Sequence, residues 1–343
     1  MSKAWRYLLY LLRMAVGQAV NESMSLAPDE WRAVYRLAKK HAVIGVAWDG
    51  IERLQQMQPE ALQSMPADVA GKWFADVQTI EAANRKLAKL AQAVQVLLRT
   101  GGYEAQVLKG AALAAYYPKP EHRQATDVDM WVRPQDYKRL ANELCRGDNS
   151  HNLKALRQEL LSFLQKQSEL EIGEVVYHHI ETQCFGDTEV EMHITPTWLC
   201  NPRHNRHLQR AFAEAGQMTP ELEEVYALLH GFRHIYHDGL ALRHVMDYYL
   251  VCRHNRMAGV LPPQAMYDAL GLRRFAEAMD EVAAAIFAAG EPQQLSKRAQ
   301  HILDALPKRQ VSNAVRWDYP EETLFNLPWR VVHYLWRKKN HYV

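Results

Sequence analysis

Cysteine is scarce: Cys145, Cys184, Cys200 and Cys252 stand singly in 343 residues. No CxxC pair is available to hold zinc, and four scattered thiols are too few to staple so long a chain. A reducing, cytoplasmic setting fits best. Long apolar runs are lacking as well. The stretch Trp5 to Val16 is broken by Arg6 and Arg13, well short of the roughly 20 apolar residues that a spanning helix needs, and its apolar core is too short for a signal peptide. It reads as a core-packing helix, with no membrane insertion. An excess of charge of one sign is also missing: 41 Lys and Arg against 39 Asp and Glu leave +2, without the electrostatic footprint of a dedicated nucleic-acid binder. Internal repeats and low-complexity tracts are absent. What remains, 48% hydrophobic and 23% charged, is ordinary globular composition, in a chain long enough for more than one packed unit at about 150 residues per domain.

Along the chain the apolar period changes twice. Trp31, Val34, Tyr35 and Leu37 mark one helical face, and Leu87, Leu90, Val94, Leu97 and Leu98 mark a stronger one, which Gly101-Gly102 terminates. Tyr103, Ala105 and Val107 then alternate with polar neighbours, a strand running into a tight turn at Leu108-Lys109-Gly110. The pattern predicts a short helix over Ala111 to Tyr117 and a strand over Thr126 to Val132. A helix start follows at Arg133-Pro134-Gln135-Asp136, with proline at its first position. A helix carrying Leu153, Leu156, Leu160 and Leu164 follows, then a hairpin of Val175 to Cys184 and Glu189 to Ile194 about Phe185-Gly186-Asp187-Thr188. Beyond Pro202 the chain reads as helical over Pro220 to Ile235, Leu240 to about Arg253 and Ala283 to Ala289. The organisation is a helical region over 1–100, a mixed α/β core over 101–200 and a helical region over 201–343.

Three features of the core carry chemistry. A glycine that opens a helix lets backbone N–H groups approach an anion, and Lys109 beside Gly110 adds a point charge for phosphate. Asp127 and Asp129, two residues apart on a strand, share one face, opposite Val128, Met130 and Val132. With Glu191 from a later strand they form a carboxylate set able to hold one or two Mg²⁺ ions, which take oxygen ligands and keep several waters, against a triphosphate. Glu189 shares a face with Glu191 and His193 and is an equal candidate on the pattern alone. The bland alternative for each acidic residue is a solvated strand face.

The order Lys109-Gly110, Arg123, Asp127-Val128-Asp129-Met130-Trp131-Val132 and Val190-Glu191-Met192-His193 resembles the nucleotidyltransferase superfamily that includes polymerase β. More narrowly it resembles a bacterial family of uncharacterised nucleotidyltransferases with a KG turn, an R…DxD strand and an ExH strand. A helical stretch like Leu228-Leu229-His230 to His234, then Leu242-Arg243 and Asp247, follows in that family. The resemblance implies an α+β fold: a polymerase-β-like core, a small mixed sheet with helices, flanked by N- and C-terminal helical regions. It implies transfer of a nucleoside monophosphate from an NTP, taken as ATP, to an acceptor hydroxyl, with Mg²⁺ or Mn²⁺ as the metal and pyrophosphate as the leaving group. Asp127, Asp129 and Glu191 are then the metal ligands and catalytic carboxylates, the ExH match favouring Glu191 over Glu189. Lys109, Gly110, Arg123, His193 and Arg243 are then the nucleotide-binding residues. Ala111 departs from the serine that many superfamily members carry at the turn, leaving Lys109 and Arg123 to take its place. The acceptor is open among a small molecule, a saccharide, a tRNA and a protein, and the alternative is a catalytically degenerate member that binds nucleotide or a protein partner.

Two other patterns have competing readings. His230 and His234, four apart on a helix, have zinc spacing, but Gly231 stands where HExxH needs glutamate, which favours structural or substrate-contacting histidines. Arg243 and Asp247, also four apart, read either as a salt bridge along one helix or, by the resemblance, with Arg243 facing the nucleotide. The basic clusters Arg203 to Arg210 and Trp329 to Lys339 read first as solvated helix faces and second as polyanion contacts.

Overall fold

The computed structural model describes residues 2–18, 25–134, 149–168, 170–176, 178–184, 188–199, 201–236, 239–288 and 294–308. Helices α1 (Lys3–Ala15), α2 (Pro28–Lys40), α3 (Ile44–Met57) and α4 (Ala67–Thr100) come first. Ser2 caps α1 by accepting a hydrogen bond from the Trp5 N–H, and Tyr7, Leu8, Leu11 and Leu12 are fully buried, so this stretch is a core helix. It lies so close to α3 that a Cβ on Gly50 would stand 2.1 Å from the Leu11 carbonyl oxygen. No described helix is long and apolar enough to cross a membrane.

Strand β1 (Tyr103–Val107) follows the glycine stop, then the short α5 (Ala111–Ala114) and β2 (Val128–Pro134). The expected helix to Tyr117 ends three residues early, and β2 begins after Asp127. Pro134 closes β2 instead of opening a helix; Gln135 to Asp148 lie outside the described residues. Next come α6 (Asn149–Leu164), β3 (Leu170–Val175), β4 (His179–Cys184) and β5 (Glu189–His193). The single strand expected over Val175 to Cys184 is two strands, because β3 ends at Val175 and pairs back on β4.

The sheet order is β1-β2-β5-β4-β3. β2 and β5 run parallel, Asp129 opposite Glu191, while the other neighbours are antiparallel. β2 is buried on both faces except at its last residue, as a strand flanked by neighbours on both sides and covered by helices must be. The C-terminal helices are α7 (Pro202–Ala215), α8 (Pro220–Tyr236), α9 (Leu242–Met257), α10 (Gln264–Ala269), α11 (Arg273–Phe287) and α12 (Lys297–Ala305). The result is a five-stranded mixed sheet with helices on either side in sequence, an α+β fold. The cluster Trp329 to Lys339 lies outside the described residues.

Candidate active site

Gly110 sets the turn between β1 and α5. Its backbone, at φ 61° and ψ −111°, is a conformation that side chains disfavour and glycine adopts freely. The Leu108 N–H donates to the Asp129 carbonyl at 3.0 Å, which carries the β1–β2 ladder one step past the strand and aims Lys109 at the aspartates. The Lys109 ammonium lies 2.9 Å from Asp129 Oδ1 and 3.3 Å from Asp127 Oδ2. Both aspartates therefore converge on one cation from β2 and the residue before it. Asp129 is 1% exposed, so a solvated strand face does not describe it.

The parallel β2–β5 pairing brings the third carboxylate in. Glu191 stands opposite Asp129, and His193, two residues along β5, places Nε2 3.0 Å from Asp129 Oδ1 and 3.0 Å from Glu191 Oε2. Burial opposes the charged form of His193, but its bonds to the two carboxylates outweigh burial and raise its pKa above 6.5. Burial likewise opposes the Glu191 carboxylate, yet the His193 bond and the nearby Lys109 charge win and hold it well below the usual glutamate value. Burial lowers the Lys109 ammonium, and the Asp129, Asp127 and Glu191 charges more than reverse that. Glu189 sits two pairs further out, opposite Gln183, exposed, with its pKa raised by partial burial and then by Glu181 and Glu191.

Asp129 Oδ2 is buried without a hydrogen-bond partner. An orphaned carboxylate oxygen in such a place costs free energy unless a ligand satisfies it. The Asp129 and Glu191 carboxylates offer the oxygen donors that a hard divalent cation prefers, and with His193 they form a group able to hold a metal ion. The ligand atoms of Asp129, Glu191 and His193 lie within 4.8 Å of one another.

Arg123 takes the partner that helix spacing offers to Arg243. Arg123 is buried and holds Asp247 through two 2.8 Å bonds, with Tyr117 Oη donating to the same carboxylate at 2.6 Å. Its Nη1 reaches the Gly110 carbonyl at 3.4 Å, so Arg123 braces the turn from beneath. Asp247 is thus taken by a residue from another part of the chain, and the salt bridge along α9 gives way to it. Arg243 Nη1 donates to the Gln124 carbonyl at 2.9 Å, while its Nε is buried without a partner. Its charge is felt at Asp127 and at His230.

His230, His234 and His244 gather on α8 and α9, with 3.1 Å between the Nε2 atoms of His230 and His234. The rings of His234 and His244 stack at 4.0 Å and 14°. Imidazole lone pairs lie in the ring plane, so near-parallel rings do not direct theirs to one ion. The cluster is a packed set of imidazoles beside the site. Burial first, then the neighbouring His234 and His244, keep His230 neutral.

Several neighbours escaped the sequence reading. Tyr226, buried on α8, senses the Asp129 and Lys109 charges. His179, opposite His193 in the β4–β5 register, bonds His178 at 3.0 Å and is driven to a pKa of about 4 by burial and the adjacent His193. No local motif marks these residues; they reach the site through strand register and helix packing.

With a glycine turn, an aspartate pair and a register-matched glutamate on a mixed sheet, the class is that of a nucleotidyltransferase. The chain belongs to a family of uncharacterised nucleotidyltransferases, whose model matches residues 27–288. No curated protein and no solved structure matches it.

Proposed function

We propose that the protein is a metal-dependent nucleotidyltransferase that moves a nucleoside monophosphate from an NTP, with ATP the co-substrate, to an acceptor hydroxyl and releases pyrophosphate. The observation that carries this reading is the gathering of Asp127 and Asp129 on Lys109 and of Asp129 and Glu191 on His193, with one buried Asp129 oxygen left unpartnered. When bound, Mg²⁺ or Mn²⁺ would neutralise phosphate charge and polarise the reacting oxygens. Asp127, Asp129 and Glu191 would hold it, and register favours Glu191 over Glu189 as the third ligand. His193 positions Asp129 and Glu191. Lys109 and Arg243 bind the phosphates, and Gly110 lets the turn approach them. Arg123 serves by fixing Gly110 and Asp247. Catalysis then rests on positioning and charge neutralisation, without a covalent intermediate. In this reading residues 101–200 carry the transfer, the helical regions over 1–100 and 201–343 complete the cleft, and the protein works in the cytoplasm.

The test is incubation with each of the four NTPs labelled at the α-phosphate, Mg²⁺ and cell extract. Label should move onto a macromolecule or metabolite with wild type and not with Asp127→Asn. One observation favours a binding-only reading: Lys109 and His193 already occupy Asp129 Oδ1. Magnesium-dependent NTP binding without transfer to any acceptor would establish it.

A further inference from the structure

Three buried imidazoles gather across the β4–β5 pairing. His179 stands opposite His193 in the register. His178, one residue before β4, is held beside them because its carbonyl accepts from the Ile194 N–H at 2.9 Å. None of the three is more than 7% exposed, and one ring nitrogen from each lies within 4.8 Å of the others. Ring geometry sets this group apart from the one on α8 and α9. Imidazole lone pairs lie in the ring plane, and here no two rings are near parallel: their planes meet at 88°, 55° and 41°. The ring centres are 4.4, 5.2 and 5.1 Å apart. Zinc binds imidazole nitrogen at about 2.0–2.1 Å in a tetrahedral array, which spaces the ring centres by about 5 Å. The observed spacing is close to that of imidazoles sharing one ion.

Carboxylates already hold the remote nitrogens. His193 Nε2 lies 3.0 Å from both Asp129 and Glu191, while its Nδ1 is buried without a hydrogen-bond partner. His179 Nε2 lies 3.4 Å from Glu181 Oε1, and its Nδ1 is 3.0 Å from His178 Nε2. A metal-bound histidine almost always donates its other ring N–H to a carboxylate, a carbonyl or water, which fixes the tautomer and turns the lone pair toward the ion. Two of these three rings have that arrangement, His193 through Asp129 and Glu191, and His179 through Glu181. The charges of Arg233 and Lys109 are felt at His178, and the three carboxylates offset them.

We propose that His178 Nε2, His179 Nδ1 and His193 Nδ1 form a site for one divalent cation of the zinc class, separate from the carboxylate set that suits a hard ion. Imidazole suits zinc and cobalt, whereas magnesium takes oxygen ligands. The ion clips β4 to β5. Bound at Nδ1, it leaves the Nε2 bonds of His193 to Asp129 and Glu191 in place, and so fixes the ring that positions those carboxylates. The site stands without the nucleotidyl-transfer reading, because no nucleotide takes part in it.

The test uses the full chain, stripped of metal with EDTA and dialysed, and titrated with zinc chloride by calorimetry without nucleotide. Wild type should bind a single zinc ion that excess magnesium does not displace. His178→Gln and His179→Gln, shown by circular dichroism to be folded, should each bind zinc at least about tenfold more weakly. Asp127→Asn, and the double variant His230→Gln with His234→Gln, should stay within about threefold of wild type. X-ray absorption at the zinc edge of the wild-type protein should show imidazole nitrogens around the ion, a readout that needs no variant. Absence of zinc binding by wild type, or binding undiminished in both folded single-histidine variants, overturns the proposal. So does a zinc shell of oxygens without imidazole. Loss of binding in Asp127→Asn puts the ion on the carboxylates, and loss in the double variant puts it between α8 and α9; either overturns the assignment.

Discussion

Arg123 and Asp247, 124 residues apart, meet in a two-pronged ion pair with both bonds at 2.8 Å, and neither side chain is more than 3% exposed. The pair joins the segment before β2 to α9. Through the Gly110 carbonyl and Tyr117 it also ties the turn to that helix. Removing one partner would strand a buried charge, which costs about 3–5 kcal/mol, whereas replacing both by apolar residues of similar size is often close to neutral. Arg123→Ala should therefore lower the urea midpoint sharply, and Arg123→Met with Asp247→Leu should recover most of it. Equal loss in the single and double variants would show that the pair is not what stabilises this junction.

Asp127 is the less buried of the two aspartates on Lys109, so its replacement perturbs the core less. Asp127→Asn keeps the size and shape of the side chain and removes one charge from the carboxylate set. Transfer of α-phosphate label should fall by at least about 10²–10³-fold, the range seen when one transition-state contact is lost, with an unchanged thermal midpoint. Retained turnover would sink the assignment of the site.

The parts of this site that are local in sequence were legible there. The Gly110 turn follows from a strand that stops at a glycine, and the Asp127–Asp129 face follows from the two-residue strand period. What depends on long-range pairing was not. Nothing local tells that β2 and β5 lie side by side and parallel, the fact that puts Glu191 rather than Glu189 opposite Asp129. Arg243 and Asp247 have helix spacing for a salt bridge, but Arg123 outcompetes it with better geometry from a distant segment. Strand β3 was hidden because Glu171, Gly173 and Glu174 dilute its alternation. Its edge position tolerates them, since one side of an edge strand faces solvent.

Gly110 permits a test of the turn without touching a charge. A Cβ there would meet nothing closer than 3.7 Å, at the Asp127 carbonyl oxygen, so space does not forbid a side chain. The backbone at φ 61° does, at a cost of about 1–3 kcal/mol for a residue other than glycine. Gly110→Ala should lower stability by that amount, or relax the turn and move Lys109 off the aspartates. Transfer should fall in either case. Unchanged stability together with full activity would show that the strained turn is not needed.

His193 gives the site a pH signature. Its pKa is raised above 6.5 in the folded chain, since its carboxylate partners outweigh burial, so the stability it contributes is complete below about 6.5 and is lost as pH rises through the folded value. Glu191 is held below its usual 4.5, where the His193 and Lys109 contacts outweigh burial. Its contribution is present above about 4.5 and is lost as pH falls through the folded value. The pair is therefore worth most between about pH 4.5 and 6.5. His122, raised by Asp49 and Glu81 against burial, adds a similar decline at higher pH, but it is unchanged in a His193→Gln variant and cancels in the difference. With EDTA present, the thermal midpoint of wild type should exceed that of His193→Gln by most near pH 6. The gap should narrow as pH rises toward 9, by about 2–4 °C for each kcal/mol lost. A gap that stays constant from pH 6 to 9 would mean that His193 carries no charge in the folded protein. Its role as the cation that positions Asp129 and Glu191 would then fall.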